Sequence, residues 1–279
     1  MKPQYFSFST TKIFTLFLLV TIFHLPPISG IQNDQQYTKC GVLFNCGKLT
    51  RIDYPFYGGD RPDECGYPGL KLACENGTTT TIQMNNLKYR VLELNPKTQL
   101  LKISRNDFSQ TLCPQELKNT TLDSQLFEYA NGYVNLTFLY GCPDLDFPVP
   151  YRFDCPVKGT AERNGYVEFG TRFSGVCREN VVVPVSYKSF VDFKDLKAVV
   201  GEGFEVRFKV ESGACGECRR SGGRCGYDVA ADQFVCFCPD QSAAAESRTC
   251  GGGEVAGAGN YHPRASTVAP LASGIHALN

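Results

Sequence analysis

The run Phe204-Glu-Val-Arg-Phe-Lys-Val-Glu211 alternates apolar and charged positions without a fault. A period of two belongs to a strand with one wet face, so Phe204, Val206, Phe208 and Val210 are assigned to a core and the charges to water. Tyr89-Arg-Val-Leu-Glu-Leu94 has the same period, with Arg90, Leu92 and Leu94 on one face and Tyr89, Val91 and Glu93 on the other. Asn95-Pro96-Lys97-Thr98 has turn composition, and Gln99-Leu-Leu-Lys-Ile103 returns as a second strand, which makes a hairpin. Tyr133 to Tyr140 turns Val134, Leu136, Phe138 and Tyr140 one way and Asn135 and Thr137 the other. Tyr166 to Phe169 and Val181 to Val185 also read as strands, the latter an edge or a strand end because Pro184 lacks an N–H. Phe190 to Val200, stopped by Gly201, is read as the single real helix. The fold class predicted is mostly β: two small disulfide-rich β modules with short helices.

Cysteine changes that picture most. Fourteen are spread from Cys40 to Cys250. The N-terminus accounts for them: Lys2 and Lys12 precede an apolar run from Ile13 to Phe23, then Pro26, Pro27 and the small pair Ser29-Gly30. That run suits a secretory leader and falls short of the ~20 residues a membrane-spanning helix needs. Residues 1–30 are therefore read as a signal peptide, which sends the mature chain to an oxidising compartment where paired cysteines are the default. The cysteines are Cys40, Cys46, Cys65, Cys74, Cys113, Cys142, Cys155, Cys177, Cys215, Cys218, Cys225, Cys236, Cys238 and Cys250, and their order does not determine their pairing. Cys236 and Cys238 stand two apart on a strand and should each reach a different partner. Behind a leader the C-x-x-C and C-x-C spacings point to structural bridges rather than zinc, and no metal or cofactor is expected.

Cys113-Pro114 opens a second region, and the chain is divided there into modules at 37–110 and 113–240. Residues 31–39 form a polar leader before the first, and a Gly-, Ala- and Ser-rich tail over 241–279 is expected to be disordered. The sequons at Asn76, Asn119 and Asn135 are candidate glycosylation sites. Net charge is zero, which gives no general attraction to nucleic acid. The three histidines are His24, in the leader, and His262 and His276, in the tail, so a Ser–His or Cys–His pair has no base in the folded region. No kinase signature occurs, and no second apolar run is long enough to span a bilayer.

The densest chemistry lies between Cys40 and Cys74, with four cysteines and six glycines in one short stretch. Arg51, Tyr54, Phe56, Tyr57, Arg61, Tyr67 and Lys71 supply cations for carboxylates and ring faces for the C–H surfaces of a sugar-acid polymer. The competing reading is that the rings fill a small core and the cations are ordinary surface.

Those residues carry a resemblance. Cys40-x5-Cys46-Gly, Ile52-Asp-Tyr-Pro-Phe-Tyr-Gly58 and Cys65-Gly-Tyr-Pro-Gly-Leu-Lys-Leu-x-Cys74 resemble the galacturonan-binding module of plant wall-associated receptor kinases. Val181 to Val185, Gly203-Phe-Glu-Val, Cys215-x-x-Cys218-x-x-Ser-Gly-Gly-x-Cys225-Gly-Tyr and Phe234-x-Cys-Phe-Cys-Pro-Asp240 resemble the C-terminal module of the same kinases. The pair in this order is similar to the ectodomain of leaf-rust-resistance-type receptor-like kinases. The resemblance implies a plant apoplastic, non-catalytic binder of pectin or other wall galacturonan. The alternative partner class is a receptor or a secreted peptide in defence signalling. Full-length relatives of this kind carry a kinase, whereas this sequence ends in a short polar tail, and Tyr57 and Phe208 stand where the family often has Trp.

Overall fold

The computed structural model describes residues 29–144, 151–159, 161–171, 175–191, 195–239 and 248–251; the signal-peptide assignment and most of the expected tail lie outside them. The described residues are mostly strand (41%) with few short helices (15%) and several disulfides, so the mostly-β class holds.

Helix α1 (Ser29–Cys40) takes in the stretch read as a polar leader, residues 31–39. Strands β1 (Phe44–Cys46) and β2 (Leu49–Ile52) form a short antiparallel ribbon, followed by a 3-10 turn at Asp63–Cys65. Then come β3 (Leu72–Glu75), β4 (Thr79–Met84), β5 (Leu87–Asn95) and β6 (Leu100–Arg105), an antiparallel meander. The predicted hairpin is β5–β6, with one change. A register shift between Val91 and Glu93 inserts an extra residue, so Leu94 returns to the core shared by Tyr89 and Val91 instead of facing away from it. Simple alternation through this strand was therefore wrong beyond Val91.

The middle of the chain supplies β7 (Phe127–Tyr129), β8 (Tyr133–Cys142), β9 (Phe153–Asp154), β10 (Asn164–Phe169) and β11 (Glu179–Ser186). Four of these form a sheet in the order β11-β8-β10-β9, which puts Pro184 on an edge strand as its missing donor requires. Leu136, Phe138 and Tyr140 of β8 pack with Val181, Val183 and Val185 in the second core.

The predicted helix over Phe190–Val200 is instead two pieces, α2 (Tyr187–Val191) and α3 (Leu196–Glu202). Asp195 has extended backbone and its carboxylate accepts from Lys197 N–H, so it starts a new helix rather than continuing one. The stop is Gly203, not Gly201: Gly203 sits at φ +66°, and a side chain there would lie 1.9 Å from the Ile103 carbonyl oxygen. Nor are these the only helices, since α1 and α4 (Gly213–Arg220) lie outside that prediction.

The fully alternating run is β12 (Phe204–Phe208), with Phe204, Val206 and Phe208 inward as predicted and Val210 buried beyond its end. Its position follows from tertiary pairing. β12 lies between β6 and β7 in a six-stranded sheet ordered β3-β4-β5-β6-β12-β7, with Phe204 opposite Ile103 and Phe208 opposite Phe127. The first sequence module thus receives a strand from the second. Strands β13 (Arg224–Asp228) and β14 (Gln233–Phe237) close the chain as a hairpin over the same core.

All fourteen cysteines pair: Cys40–Cys65, Cys46–Cys74, Cys113–Cys155, Cys142–Cys177, Cys215–Cys225, Cys218–Cys236 and Cys238–Cys250. Cys236 and Cys238 do part to different partners, and the tail expected to be loose from residue 241 is tied back at Cys250. The cluster of Cys236, Cys238 and Cys250 sulfurs, close enough together to suggest a metal site, is fully consumed by these bridges.

Candidate functional site

Arg61 does not reach the surface. It is 1% exposed, and all five of its N–H directions are occupied. Nε donates to the Phe56 carbonyl at 3.2 Å, and Nη1 donates to the Cys40 and Val42 carbonyls at 2.6 and 2.7 Å. Nη2 donates to the Cys65 carbonyl at 2.8 Å and faces Asp53 Oδ1 at 2.7 Å. Burial lowers its pKa, and Asp53 opposes that shift by favouring the cation. The guanidinium is therefore an internal brace for the loops around the Cys40–Cys65 bridge. Phe56, 0% exposed and edge-on to Phe208 at 5.0 Å, is a core ring. Both residues leave the predicted ligand surface, because neither presents an atom to solvent.

The other five predicted residues scatter. Lys71 is exposed, lies 5.7 Å above the Tyr57 ring and forms an ion pair with Asp63 at 2.9 Å. The hydrogen bond that Lys71 donates to the Asp63 carboxylate raises the Lys71 pKa, while burial raises that of Tyr57. That cation already has its counter-charge. Arg51 is exposed on β2, where its backbone N–H donates to Asn45 Oδ1. Tyr67 is half-buried against Tyr227, with ring centroids 4.8 Å apart. Tyr54, joined to Pro55 by a cis bond and edge-on to Phe234, is buried except where it borders a cleft.

That cleft, of about 260 Å³, is where cations and rings do converge. Tyr54, Pro55, Phe208 and Val210 form its floor, and Lys97 and Arg219 stand on its rim. A shallower depression of about 600 Å³ continues from it past Phe208 and Val210 to Arg207 and Lys209. Each side has a local cause. Asn95 Oδ1 accepts from the Lys97 and Thr98 N–H groups, an Asx turn that holds Lys97 at the hairpin tip. Alternation along β12 turns Arg207 outward while Phe208 turns in. Helix α4 ends in Arg219 and Arg220, cations suited to a helix C-terminus.

Several bonds lock the two sides together. Gln99 Nε2 donates to the Val210 carbonyl at 2.7 Å, Arg207 Nη1 to the Thr98 carbonyl at 2.7 Å, and Phe208 N–H to the Gln99 carbonyl at 3.0 Å. Arg219 Nη2 meets Asp53 Oδ2 at 2.7 Å, so one carboxylate grips both buried Arg61 and exposed Arg219. Sequence reasoning missed Lys97, Arg207, Lys209 and Arg219. The available signals were the turn composition around Lys97 and the outward charges of the alternating run; nothing local joins them to Tyr54.

The sequons differ in setting. Asn76 and Asn119 are exposed, and Asn119 Oδ1 accepts from Val182 N–H on the β11 edge. Asn135 is half-buried on the inner strand β8, and its partner Thr137 is fully buried with its hydroxyl donating to the Gly170 carbonyl. No helix among the described residues is long and apolar enough to cross a membrane.

Comparison with known proteins accords with this architecture. Residues 40–105 match the model for the wall-associated receptor kinase galacturonan-binding domain, and residues 157–241 match that for the wall-associated receptor kinase C-terminal domain. Among curated relatives from Arabidopsis thaliana, leaf rust 10 disease-resistance locus receptor-like protein kinase-like 1.3 is 35% identical over 82% of this chain and 33% of its own length. The kinase-like 2.3 and 2.8 proteins of that name are 32% and 31% identical over 78% and 80% of this chain, and over 34% and 25% of their own lengths. The chain thus spans about a third or less of these relatives. No solved structure matches it. With its galacturonan-binding and C-terminal domains in that order, the chain belongs to the family of wall-associated receptor kinase ectodomains.

Proposed function

We propose that this chain is an extracellular, non-catalytic binder of de-esterified galacturonan, the acidic polymer of pectin. The observation that carries the reading is the match of residues 40–105 to a galacturonan-binding domain. The chemistry is compatible: exposed Lys97 and Arg219 border a cleft lined by apolar side chains, and uronate carboxylates call for such cations. Single contacts of this kind are weak, and a repeating polymer compensates through avidity. Calorimetric titration of the oxidised protein with oligogalacturonides of defined length tests the reading. Binding is expected at low salt, weakening as salt screens the charges. An absence of binding at low salt refutes it.

A second reading, recognition of a protein or secreted peptide, is favoured by one feature. Phe169, Tyr187 and Val191 are each more than half exposed, and Phe169 stacks edge-on to Phe190 at 4.8 Å. Capture of a partner from apoplastic fluid that survives pectinase digestion would favour it over the polymer.

A further inference from the structure

We infer that the galacturonan site is the composite cleft between the β5–β6 turn and the β12–α4 segment, built jointly by both modules. This rests on the galacturonan reading and adds where and how the polymer is held.

Three observations carry it. First, charge: Lys97, Arg207, Lys209 and Arg219 line one continuous depression, and all four are exposed. The acidic groups facing them are Glu211 on the rim, Glu128 at 3.5 Å from Arg207 Nε, and Asp53, which is shared with buried Arg61. Arg207 and Arg219 are ion-paired, yet the four exposed cations together with buried Arg61, which shares Asp53, outnumber these three acids by two, which leaves a net positive strip suited to a polyanion. Lys71, by contrast, is a single cation balanced by Asp63. Second, shape: Tyr54, Pro55, Phe208 and Val210 are buried and leave only a narrow apolar seam along the cleft, so the ligand is held mainly by the rim, whose cations reach carboxylates. Third, preorganisation: the bonds from Gln99 to Val210, from Arg207 to Thr98 and from Arg219 to Asp53 fix the walls before any ligand arrives, which lowers the ordering cost of binding.

An extended anionic chain crossing the cleft would meet Lys97 and Arg219 over the floor and then Arg207 and Lys209 beyond it. Residues 97 and 54 come from the first module and residues 207–219 from the second, so neither module holds the site alone. Tyr54 and the guanidinium of Arg219 are positioned through Asp53, whose other oxygen accepts from Tyr54 N–H.

The test uses the whole oxidised chain with a de-esterified oligogalacturonide, its fully methyl-esterified counterpart and poly-L-glutamate as probes. The double variant Lys97→Glu, Lys209→Glu alters two exposed side chains outside the cores, and an unchanged melting temperature establishes that it folds. Affinity for the acidic oligomer should fall about tenfold or more, since each exposed charge contact contributes up to ~1 kcal/mol and reversal adds repulsion. Arg51→Glu, Lys71→Glu should retain affinity within about twofold. The esterified oligomer should not bind the wild type. If the wild type binds the acidic oligomer and the cleft variant binds it equally well, the cleft is not the site while the galacturonan reading stands. If the wild type does not bind it, both fall. Poly-L-glutamate binding as tightly as the oligomer would overturn the assignment of a uronate site in favour of a general polyanion surface.

Discussion

Replacing Arg61 with Ala removes a buried cation that serves four carbonyls and one carboxylate at once. The carbonyls of Cys40, at the end of α1, of Cys65, in the 3-10 turn, and of Val42 and Phe56 all lie outside the sheets. Breaking one member of a buried ionic network costs about 3–5 kcal/mol, mostly through the groups left unpaired. The lower part of that range applies here, because Asp53 is partly solvated and keeps Arg219 as a partner. For a domain of this size such a loss lowers the melting temperature by about 10 °C, at ~2–4 °C per kcal/mol. Arg61→Lys should recover less than half, since an ammonium with three donors cannot reproduce a five-donor fork. Thermal and urea unfolding with the disulfides intact measure both variants. A fall of less than about 2 °C for Arg61→Ala would refute the claim that this residue braces the first module.

Three further outcomes follow from particular residues. Burial raises the hydroxyl pKa of Tyr54, Tyr89 and Tyr140 above the ordinary 10.0. Their neutral form is favoured in the fold, so they add no pH dependence below about pH 10, and stability falls above it as the unfolded chain ionises first. Absorbance titration near 295 nm should show these phenols ionising only together with unfolding, and three freely titrating rings in a folded protein would contradict it. Gly223→Ala would place a methyl carbon 2.4 Å from Cys236 Sγ, 2.6 Å from Cys218 Sγ and 2.7 Å from Cys250 Sγ, so secreted yield should drop and thiol mapping should find mispaired cysteines. Peptide mass mapping should find glycans on exposed Asn76 and Asn119 but not on Asn135, whose sequon threonine is sealed in β8; full occupancy at Asn135 in folded protein would refute this.

Much of the fold was legible where the sequence pattern is local. β12, the β5–β6 hairpin and the edge position of β11 follow from alternation, turn residues and one proline. The illegible parts depend on distant partners. A bulge after Val91 cannot be seen in a run that alternates through it. Helix α4 escapes because Gly and Cys are poor helix formers; burial of Cys215 and Cys218, three residues apart on one face, holds it instead. Arg61 was read as surface because arginine usually is, and only the carbonyls that the fold gathers around it make its burial tolerable. The cleft cations were missed for the same reason: Lys97 and Arg219 are far apart in sequence and meet through the pairing of β6 with β12.

The place of β12 also determines how force would travel. The middle of the chain leaves the larger sheet at Tyr129 of β7 and re-enters it at Phe204 of β12, on adjacent antiparallel strands. Its four-stranded sheet therefore hangs from two neighbouring points like a loop from a buckle. Suppose tension acts between a polymer seated in the cleft and the chain beyond Cys250. It would pass through α4, the β13–β14 hairpin and their three disulfides, and would bypass the suspended sheet. The covalent cross-links are densest along that path, so the part of the molecule between wall and chain end is the part least able to stretch.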